Sequence, residues 1–453
     1  MHARRQIRQP VPGSVNRGSM LALAGDFFIL FFGITCSFSV HLVGQLPIAE
    51  IVAIPTLPFL LLTRRKEIFR PGLRTVYVLL LLWLIGQVVT DAVRRTATVD
   101  RMIADAGIVF FAMDIMLLAA FISNSDRRKV LFFLGFGVGV ILGTRFDPTG
   151  WAPDYPWKFG YGPGVILLVV LLSCFFYKRR AYPVVILLYM GLILVNLLAN
   201  YRSPILFLIV SGILVIPVIP ERIGRLRLLP RNGRVAQVAL LSALGLAGGW
   251  AAQAAVSWAT NRGLAGEEAR RKNLAQMESK GGLLFGGRPE IFVSMIAVKD
   301  SPIIGHGARA KDYRYIELLA DIGEERNLPG DPQFDEELFQ GLIPTHSHLI
   351  GSWVTAGILG SLVWFYLFWI ALKSLVETVA LRPPLAPLYT YLLIMLVFDT
   401  WFSPFGSTER AREAGLIIIM FDLLTQSTGQ LKRMRRFRMT LWQRRRFASM
   451  AMH

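Results

Sequence analysis

Cysteine, histidine and acidic residues are scarce in this chain of 453 residues, which has 2 cysteines, 6 histidines and 30 Asp or Glu against 49 Lys or Arg. Cys36 and Cys174 both lie in long apolar runs, so we interpret them as small packing residues and predict no disulfide. His306, His346 and His348 lack the spacing of zinc ligands, and no metal site is predicted. No cleavage site closes the first apolar run convincingly, so we expect no signal peptide.

Long apolar runs are what the chain has in abundance, since 54% of its residues are hydrophobic although its formal net charge is +19. This combination is typical of membrane proteins. Runs of roughly 17 to 25 residues can cross a bilayer core of about 30 Å as helices, and their continuous apolarity does not fit alternating strands. We therefore predict an all-α integral membrane protein with about twelve transmembrane helices. The predicted spans are 21–41, 43–63, 75–93, 102–122, 130–147, 163–177, 182–198, 204–220, 235–258, 347–372, 387–403 and 413–428.

The distribution of charge predicts the topology of these helices. With the N-terminus in the cytoplasm, the cytoplasmic side carries about 30 of the 49 basic residues, which follows the positive-inside rule. Because the basic residues are scattered among helix ends, where they face anionic lipid, a nucleic-acid partner is disfavoured. The predicted regions are a cytoplasmic N-terminus (1–20), transmembrane helices 1 to 9 (21–258), a periplasmic loop (259–346), transmembrane helices 10 to 12 (347–428) and a basic cytoplasmic tail (429–453).

Two outer loops have features that suggest function. The loop 259–346 is far longer than the about 15 residues beyond which loops are usually functional or disordered. Its segments GEEARRKNLAQMESK and KDYRYIELLADIGEER have the spacing of short amphipathic helices. A shorter loop, FDPTGWAPDYPWKFGYG, contains Trp151, Trp157 and Tyr161. These aromatic residues fit either an interfacial belt or a surface on which sugar rings stack.

Three motifs follow one another in the second half of the chain. NYRSPILFLIVSGIL places Arg202 at the opening of a predicted spanning helix, and GRPEIFVSMIAVKDSPIIGHG has Arg288 before a short helix and a Gly-x-Gly turn after a proline. In THSHLIGSWVTAGILG, His346 and Ser347 are followed after nine residues by a Gly-x-x-Gly pair. In this order, and framed by a long outer loop, these motifs resemble the O-antigen ligase and O-antigen polymerase superfamily of bacterial envelope enzymes. The resemblance covers roughly residues 185–425.

The resemblance implies a C-type glycosyltransferase-like membrane fold and an activity. A glycan would pass from an undecaprenyl-diphosphate carrier to a hydroxyl group of a lipid core or another glycan, at the periplasmic face of the bacterial inner membrane. No cofactor or metal ion is implied. The residues agree with this chemistry, because a diphosphate leaving group needs cations and arginine binds phosphate oxygens in a bidentate way. We therefore predict Arg202 and Arg288 as diphosphate ligands.

His346 is the predicted general base, because a neutral imidazole, with an ordinary pKa near 6.5, can accept the proton of an attacking hydroxyl group. His348 is expected to matter less, since it points to another side of the helix, toward lipid headgroups or a neighbouring helix. No fixed carboxylate pair is evident, so direct displacement with inversion is expected rather than a covalent intermediate. The further substrate-binding candidates are Ser347, Glu290, Trp151, Trp157, Tyr161 and His306.

A transporter or flippase is the alternative function. Acidic residues within membrane spans are functional candidates by default, and Asp114, in FFAMDIMLL, is the most central of them. The hydropathy pattern shows no internal repeat and no matching pair of broken helices, which favours the enzyme. The sequence leaves ligase and polymerase open, because both use the same donor. The other acidic candidates are Asp105, Glu377, Asp399 and Asp422.

Overall fold

The computed structural model of the protein describes residues 17–41, 44–148, 152–215, 290–325 and 340–450, together with single positions between 247 and 263. Side chains are described in these ranges except at 17–19, 323–325 and 430–450. The structure is mostly helical, at 81%, which is compatible with the predicted all-α membrane protein. Three parts of the predicted topology lie outside the described residues. They are most of the span 235–258, the end of the span 204–220 and part of the long loop.

The N-terminal part consists of helices joined by short turns, so that consecutive helices run antiparallel. A π-helical turn, Trp157–Tyr161, leads directly into the seventh helix. Two short antiparallel strands, β1 (Ser39–His41) and β2 (Gln45–Pro47), form a hairpin after the first helix. The helices are α1 (Arg17–Thr35), α2 (Ile48–Thr63), α3 (Arg65–Ile68), α4 (Pro71–Arg94), α5 (Thr98–Ile122), α6 (Asp126–Phe146), α7 (Gly162–Lys178), α8 (Tyr182–Leu198) and α9 (Arg202–Val215).

The described residues of the C-terminal part, from 290 onward, contain five more helices. They are α10 (Glu290–Asp300), α11 (Tyr313–Glu325), α12 (His348–Leu381), α13 (Ala386–Phe402) and α14 (Ser407–Met450). Helix α11 lies within one of the two segments predicted as short amphipathic helices. Helix α14 contains the last predicted span and continues through most of the predicted basic tail.

Among the described residues, five helical stretches are long and apolar enough to cross a membrane, which supports a multi-pass membrane protein. They are Pro71–Arg94, Thr98–Ile122, Asp126–Phe146, Trp157–Lys178 and His348–Leu381. Shorter apolar helices, such as Tyr182–Leu198 and Ala386–Phe402, coincide with further predicted spans. The full count of twelve spans stays a prediction.

The β-hairpin corrects the first two predicted spans. Helix α1 ends at Thr35, and residues 39–41 pair with residues 45–47 as strands, so the predicted helices 21–41 and 43–63 reach too far into this connection. Gly44 turns the chain with a φ of 80°, a conformation that favours glycine. Pro47, with extended ψ, then immediately precedes α2. We call the end of the bundle that carries this hairpin the hairpin end.

Glycines set the close packing of α1 against α6. A Cβ atom added at Gly139 would lie 2.9 Å from the carbonyl carbon of Ile34, and one added at Gly143 would lie 2.7 Å from the carbonyl oxygen of Ser37. The two helices therefore touch backbone to backbone and run parallel, as small residues at four-residue spacing allow in membranes.

Candidate functional site

Helix α12 is broken at Gly357, and the turn Ser301–Gly307 fills the break. Gly357 has φ 65° and ψ −161°, which interrupts the hydrogen bonds of the helix. Backbone groups of the turn replace the missing helical partners on both sides of the break. These bonds run from His306 N to Val354 O (2.7 Å), from Gly307 N to Thr355 O (3.1 Å) and from Ile358 N to Ile303 O (3.3 Å). The second and third sequence motifs are thus joined directly.

Two glycines make this contact possible. A Cβ atom at Gly357 would lie 2.6 Å from the carbonyl carbon of Ile303, closer than real Cβ atoms come to other atoms. Gly305 has a φ of 86°, and its added Cβ would lie 2.6 Å from the backbone nitrogen of Gly357. The indole nitrogen of Trp353 adds a hydrogen bond of 2.7 Å to Pro302 O. The glycines that carry the resemblance therefore have a structural task at this crossing.

Helix α4 holds the turn from the other side, a role that sequence reasoning missed. The Arg94 guanidinium donates to Gly305 O at 3.0 Å and to the Ser301 hydroxyl at 2.7 Å. The buried Asp91 carboxylate accepts the backbone N–H of Ala308 at 2.8 Å. Polar residues at 87, 90, 91 and 94 lie on one face of an otherwise apolar helix, and this spacing was the available signal. The anchor is completed by Gln87, which donates to Asp91, and by Thr90, which donates to Ile304 O.

His306, a predicted substrate-binding residue, is committed to the turn. Its Nε2 donates to Ala297 O at 2.8 Å, since a carbonyl oxygen only accepts, and its ring packs edge-on against Tyr315 at 5.6 Å. The Tyr315 hydroxyl donates to the Asp300 carboxylate at 2.8 Å. Burial, together with that carboxylate, raises the pKa of Tyr315 to about 12, so the hydroxyl keeps its proton and this bond at neutral pH.

His346 lies immediately before α12, at the hairpin end. Its neighbour Ser347 is the N-cap of α12, because its hydroxyl accepts the N–H of Ile350 at 3.1 Å and donates to Thr400 O at 2.8 Å. This buried hydroxyl thus both donates and accepts within the fold, and the substrate-binding role of Ser347 stays a prediction. Ser294 ties α10 to the same segment by a bond of 3.0 Å to Pro344 O. Glu290 begins that helix one turn earlier.

His348 points into the bundle and not toward lipid. Its ring is 1% exposed and lies among Trp364, Phe405 and the end of α13, where Nδ1 is 2.7 Å from Ser403 O. Of the two predicted directions, lipid headgroups are excluded and the neighbouring helix is the observed one. Substitution of His348 by alanine would leave a cavity among these side chains.

A buried charged cluster lies beside His348. Arg412 on α14 donates to Asp399 Oδ2 at 2.9 Å and to Glu413 Oε1 at 2.7 Å, and the Ser403 hydroxyl donates to Asp399 Oδ1 at 2.6 Å. One ring nitrogen of His348 and one oxygen of each carboxylate lie within 4.8 Å of one another. The sequence predicted no such cluster, because its members come from three separate helices.

Arg202 occupies the predicted position at the start of α9, where its Nε donates to Asn200 Oδ1 at 3.1 Å. Helix α9 runs antiparallel to α13, since Ser211 meets Thr390 at 2.8 Å while Phe207 meets Phe398 further along. Arg202 therefore lies toward the hairpin end, the end at which His346 is also found.

The aromatic loop also reaches the hairpin end. The indole of Trp157 donates to the buried Asn196 side chain at 3.1 Å, which links the π-helical turn to the last turn of α8. Tyr161 closes that turn through its backbone N–H, which donates to Pro156 O at 2.7 Å. Trp157 is thus partly used in packing and partly accessible. Two predicted site residues, Arg288 and Trp151, lie outside the described residues.

A cavity of about 220 Å³ lies at the opposite end of the bundle, between α6, α13 and α14. Lys129 and Asp422, which line it, form a buried ion pair of 2.7 Å, and the Tyr389 hydroxyl donates to Asp126 at 3.2 Å. These charges satisfy one another. The cavity is therefore part of an ion-pair network and is remote from the residues predicted from the motifs.

Comparison with protein-family models found no match, and comparison with curated proteins found no significant relative. The structure connects the segments that carry four of the predicted site residues. The connections are the contacts at the break of α12 and the hydrogen bond from Ser294 to Pro344 O, and the four residues are His346, Ser347, Glu290 and His306. Arg202 and the Trp157–Tyr161 turn reach the hairpin end through α8, α9 and α13.

Proposed function

We propose that the protein transfers a glycan from an undecaprenyl-diphosphate carrier to a hydroxyl acceptor at the periplasmic face of the bacterial inner membrane, as an O-antigen ligase or a polysaccharide polymerase does. The observation that carries this proposal is the docking of the Pro-x-x-Gly-x-Gly turn into the break of α12. Two motifs that are far apart in the chain meet there, at Gly357, eleven residues after His346. Because the two sequence motifs are in direct contact, this observation supports the proposal that they belong to one functional site.

His346 acts in this proposal as the general base. An attacking hydroxyl must lose its proton, and an imidazole just before a helix start at the hairpin end is well placed for an acceptor that arrives from the membrane surface. Because Ser347 anchors the first turn of α12 to α13, the backbone that carries His346 is held rigidly. Rigid support of a reacting group is what proximity effects in catalysis require.

Arg202 supplies positive charge to the leaving group. The lipid diphosphate gains negative charge as the glycosidic bond breaks, and a guanidinium group stabilises that charge without a metal ion. Arg202 is half-buried at the start of α9, so its charge is less screened than that of an exposed arginine. Arg288, from the same family motif as the docked turn, is the second proposed ligand.

The test is transfer from a lipid-linked glycan donor by the purified protein in lipid nanodiscs. His346→Ala should reduce transfer by about two to four orders of magnitude, the usual contribution of a general base. Arg202→Ala should reduce it roughly a hundredfold, because a contact made mainly in the transition state is lost. The acid limb of the wild-type pH profile should be missing from the residual activity of His346→Ala, since only the neutral imidazole accepts a proton.

Matched controls come from exposed residues at the same end. His41 on β1 and Arg145 at the end of α6 are both exposed, so His41→Ala and Arg145→Ala should retain transfer. Losses of similar size in all four variants would contradict the assigned roles. Full activity of His346→Gln would make His346 a positioning residue and require another base.

One observation favours transport as the second candidate. Both carboxylate oxygens of Asp114, fully buried in α5, have no hydrogen-bond partner within the described part of the chain. A buried acid of this kind is typical of proton or ion relays. Proton-coupled solute uptake into vesicles that is abolished by Asp114→Asn, without glycan transfer, would favour a transporter over the enzyme.

A further inference from the structure

The charged cluster beside His348 has the chemical groups of a metal site. His348, Asp399 and Glu413 come from the starts of α12 and α14 and the end of α13, and all three side chains are buried. They offer one imidazole nitrogen and two carboxylate oxygens within 4.8 Å of one another. Ligands of a single zinc ion lie roughly 3 to 4 Å apart, so small side-chain rotations would complete the site.

Two buried atoms in the cluster have lone pairs that point to a missing positive group. His348 Nδ1 donates to Ser403 O, which leaves Nε2 as an acceptor, and Nε2 has no partner among the described residues. Glu413 Oε2 is also buried and lacks a partner in the described part of the chain. Two orphaned acceptors in a buried place are costly unless a cation binds them.

The surrounding hydrogen bonds resemble the outer shell of known metal sites. Histidine ligands of metals usually donate their other ring N–H to a backbone carbonyl, as His348 does to Ser403 O. Carboxylate ligands are themselves hydrogen-bonded, as Asp399 is by the Ser403 hydroxyl. Arg412 binds Asp399 Oδ2 and Glu413 Oε1, which leaves Glu413 Oε2 for a metal ion.

The available ligand atoms fit a divalent ion. His348 Nε2 and Glu413 Oε2 combine an imidazole nitrogen with a carboxylate oxygen, a mixed set of ligands that divalent transition metals accept. Arg412 binds Oδ2 of Asp399 and Oε1 of Glu413, so the second carboxylate oxygen of Glu413 is not used by this guanidinium.

We propose that His348, Asp399 and Glu413 bind one divalent transition-metal ion, of which Zn²⁺ fits the nitrogen and oxygen ligands best. The ion would fasten the starts of α12 and α14 to the end of α13, directly beneath the segment that carries His346. It takes no part in contact with a substrate, because the cluster is buried. This inference does not rest on the proposed glycan transfer.

The experiment measures metal content of the full-length protein, purified in detergent with a tag that contains no histidine, from cells grown with added zinc. Plasma mass spectrometry should find one zinc ion for each chain. Protein from cobalt-containing medium should show visible d–d absorption bands of Co²⁺ with nitrogen and oxygen ligands. A folded, monodisperse wild-type protein without stoichiometric metal overturns the proposal, whatever the variants do.

Matched variants locate the metal. His348→Ala and Glu413→Gln should lose the bound zinc, whereas His346→Ala, only two residues from His348, should keep it. Metal retained in full by folded His348→Ala and Glu413→Gln overturns the assignment. The pair of histidine variants also separates this proposal from the enzymatic one, because His346→Ala should lose transfer and keep zinc. If His346→Ala keeps both, only the catalytic proposal fails.

Discussion

Replacement of Gly357 by alanine probes the crossing at which the sequence motifs meet. At φ 65° and ψ −161°, Gly357 occupies a conformation that is essentially restricted to glycine, and any side chain there costs about 1–3 kcal/mol of backbone strain. The added Cβ would also lie 2.6 Å from the carbonyl carbon of Ile303, so the turn Ser301–Gly307 must move away.

The loss of stability in Gly357→Ala also follows from the backbone hydrogen bonds that this movement of the turn breaks. Three backbone hydrogen bonds join the turn to α12, and each contributes about 1 kcal/mol net. Strain and lost bonds together give a destabilisation of about 4–6 kcal/mol, which is large against the stability of a typical protein. We expect Gly357→Ala to lower the melting temperature in detergent clearly and to open the chain between Asp300 and Asp312 to proteases.

Gly351→Ala is the matched control on the same helix. A Cβ atom at Gly351 would meet only the Thr345 side chain at 3.7 Å, an ordinary contact. Alanine has a higher helix propensity than glycine by about 1 kcal/mol, so this variant should be as stable as the wild type or slightly more stable. Equal melting temperatures and equal protease cleavage of the two variants would refute the argument that the break of α12 requires glycine.

Two further predictions concern charges. Arg410 forms two hydrogen bonds, of 2.6 and 2.8 Å, to the buried Glu50, so Arg410→Ala should destabilise the protein by about 3–5 kcal/mol. The double variant Glu50→Gln with Arg410→Met should recover much of this loss in thermal unfolding, and a double variant as unstable as the single one would contradict the pairing argument. A periplasmic phosphatase fused after Leu283 should be active and one fused after Arg227 silent, because basic residues stay in the cytoplasm. The reverse pattern would move the proposed site to the cytoplasmic face.

Much of the helical architecture could be predicted from the sequence because local physics decides it. In a membrane each backbone polar group must be hydrogen-bonded within the protein, and a long, continuously apolar run meets this requirement as a helix, which bonds within its own segment. The predicted span 182–198 coincides with α8 (Tyr182–Leu198), and 102–122 lies within α5 (Thr98–Ile122). The connection between α1 and α2 was predicted wrongly as helix. Gly44 and Pro47 allow a β-hairpin there, and hydropathy does not distinguish an apolar hairpin from an apolar helix.

The candidate site, too, could be predicted only in part from the sequence. The sequence indicated His346, Arg202 and the glycine motif, and their roles in catalysis stay predictions. The sequence could not show that Gly357 breaks α12 or that the turn Ser301–Gly307 enters this break. It also could not show that the Ser347 hydroxyl donates a hydrogen bond to Thr400 O.

The pairings of charges likewise needed the tertiary structure. Asp399 and Arg412 are thirteen residues apart on different helices, and both are distant in sequence from His348. Hydropathy and periodicity report the environment of one segment, whereas these contacts depend on which faces of separate helices meet. The sequence by itself therefore determined where most helices lie in the chain. Only packing decided which buried polar groups come together, because each needs a partner that another helix supplies.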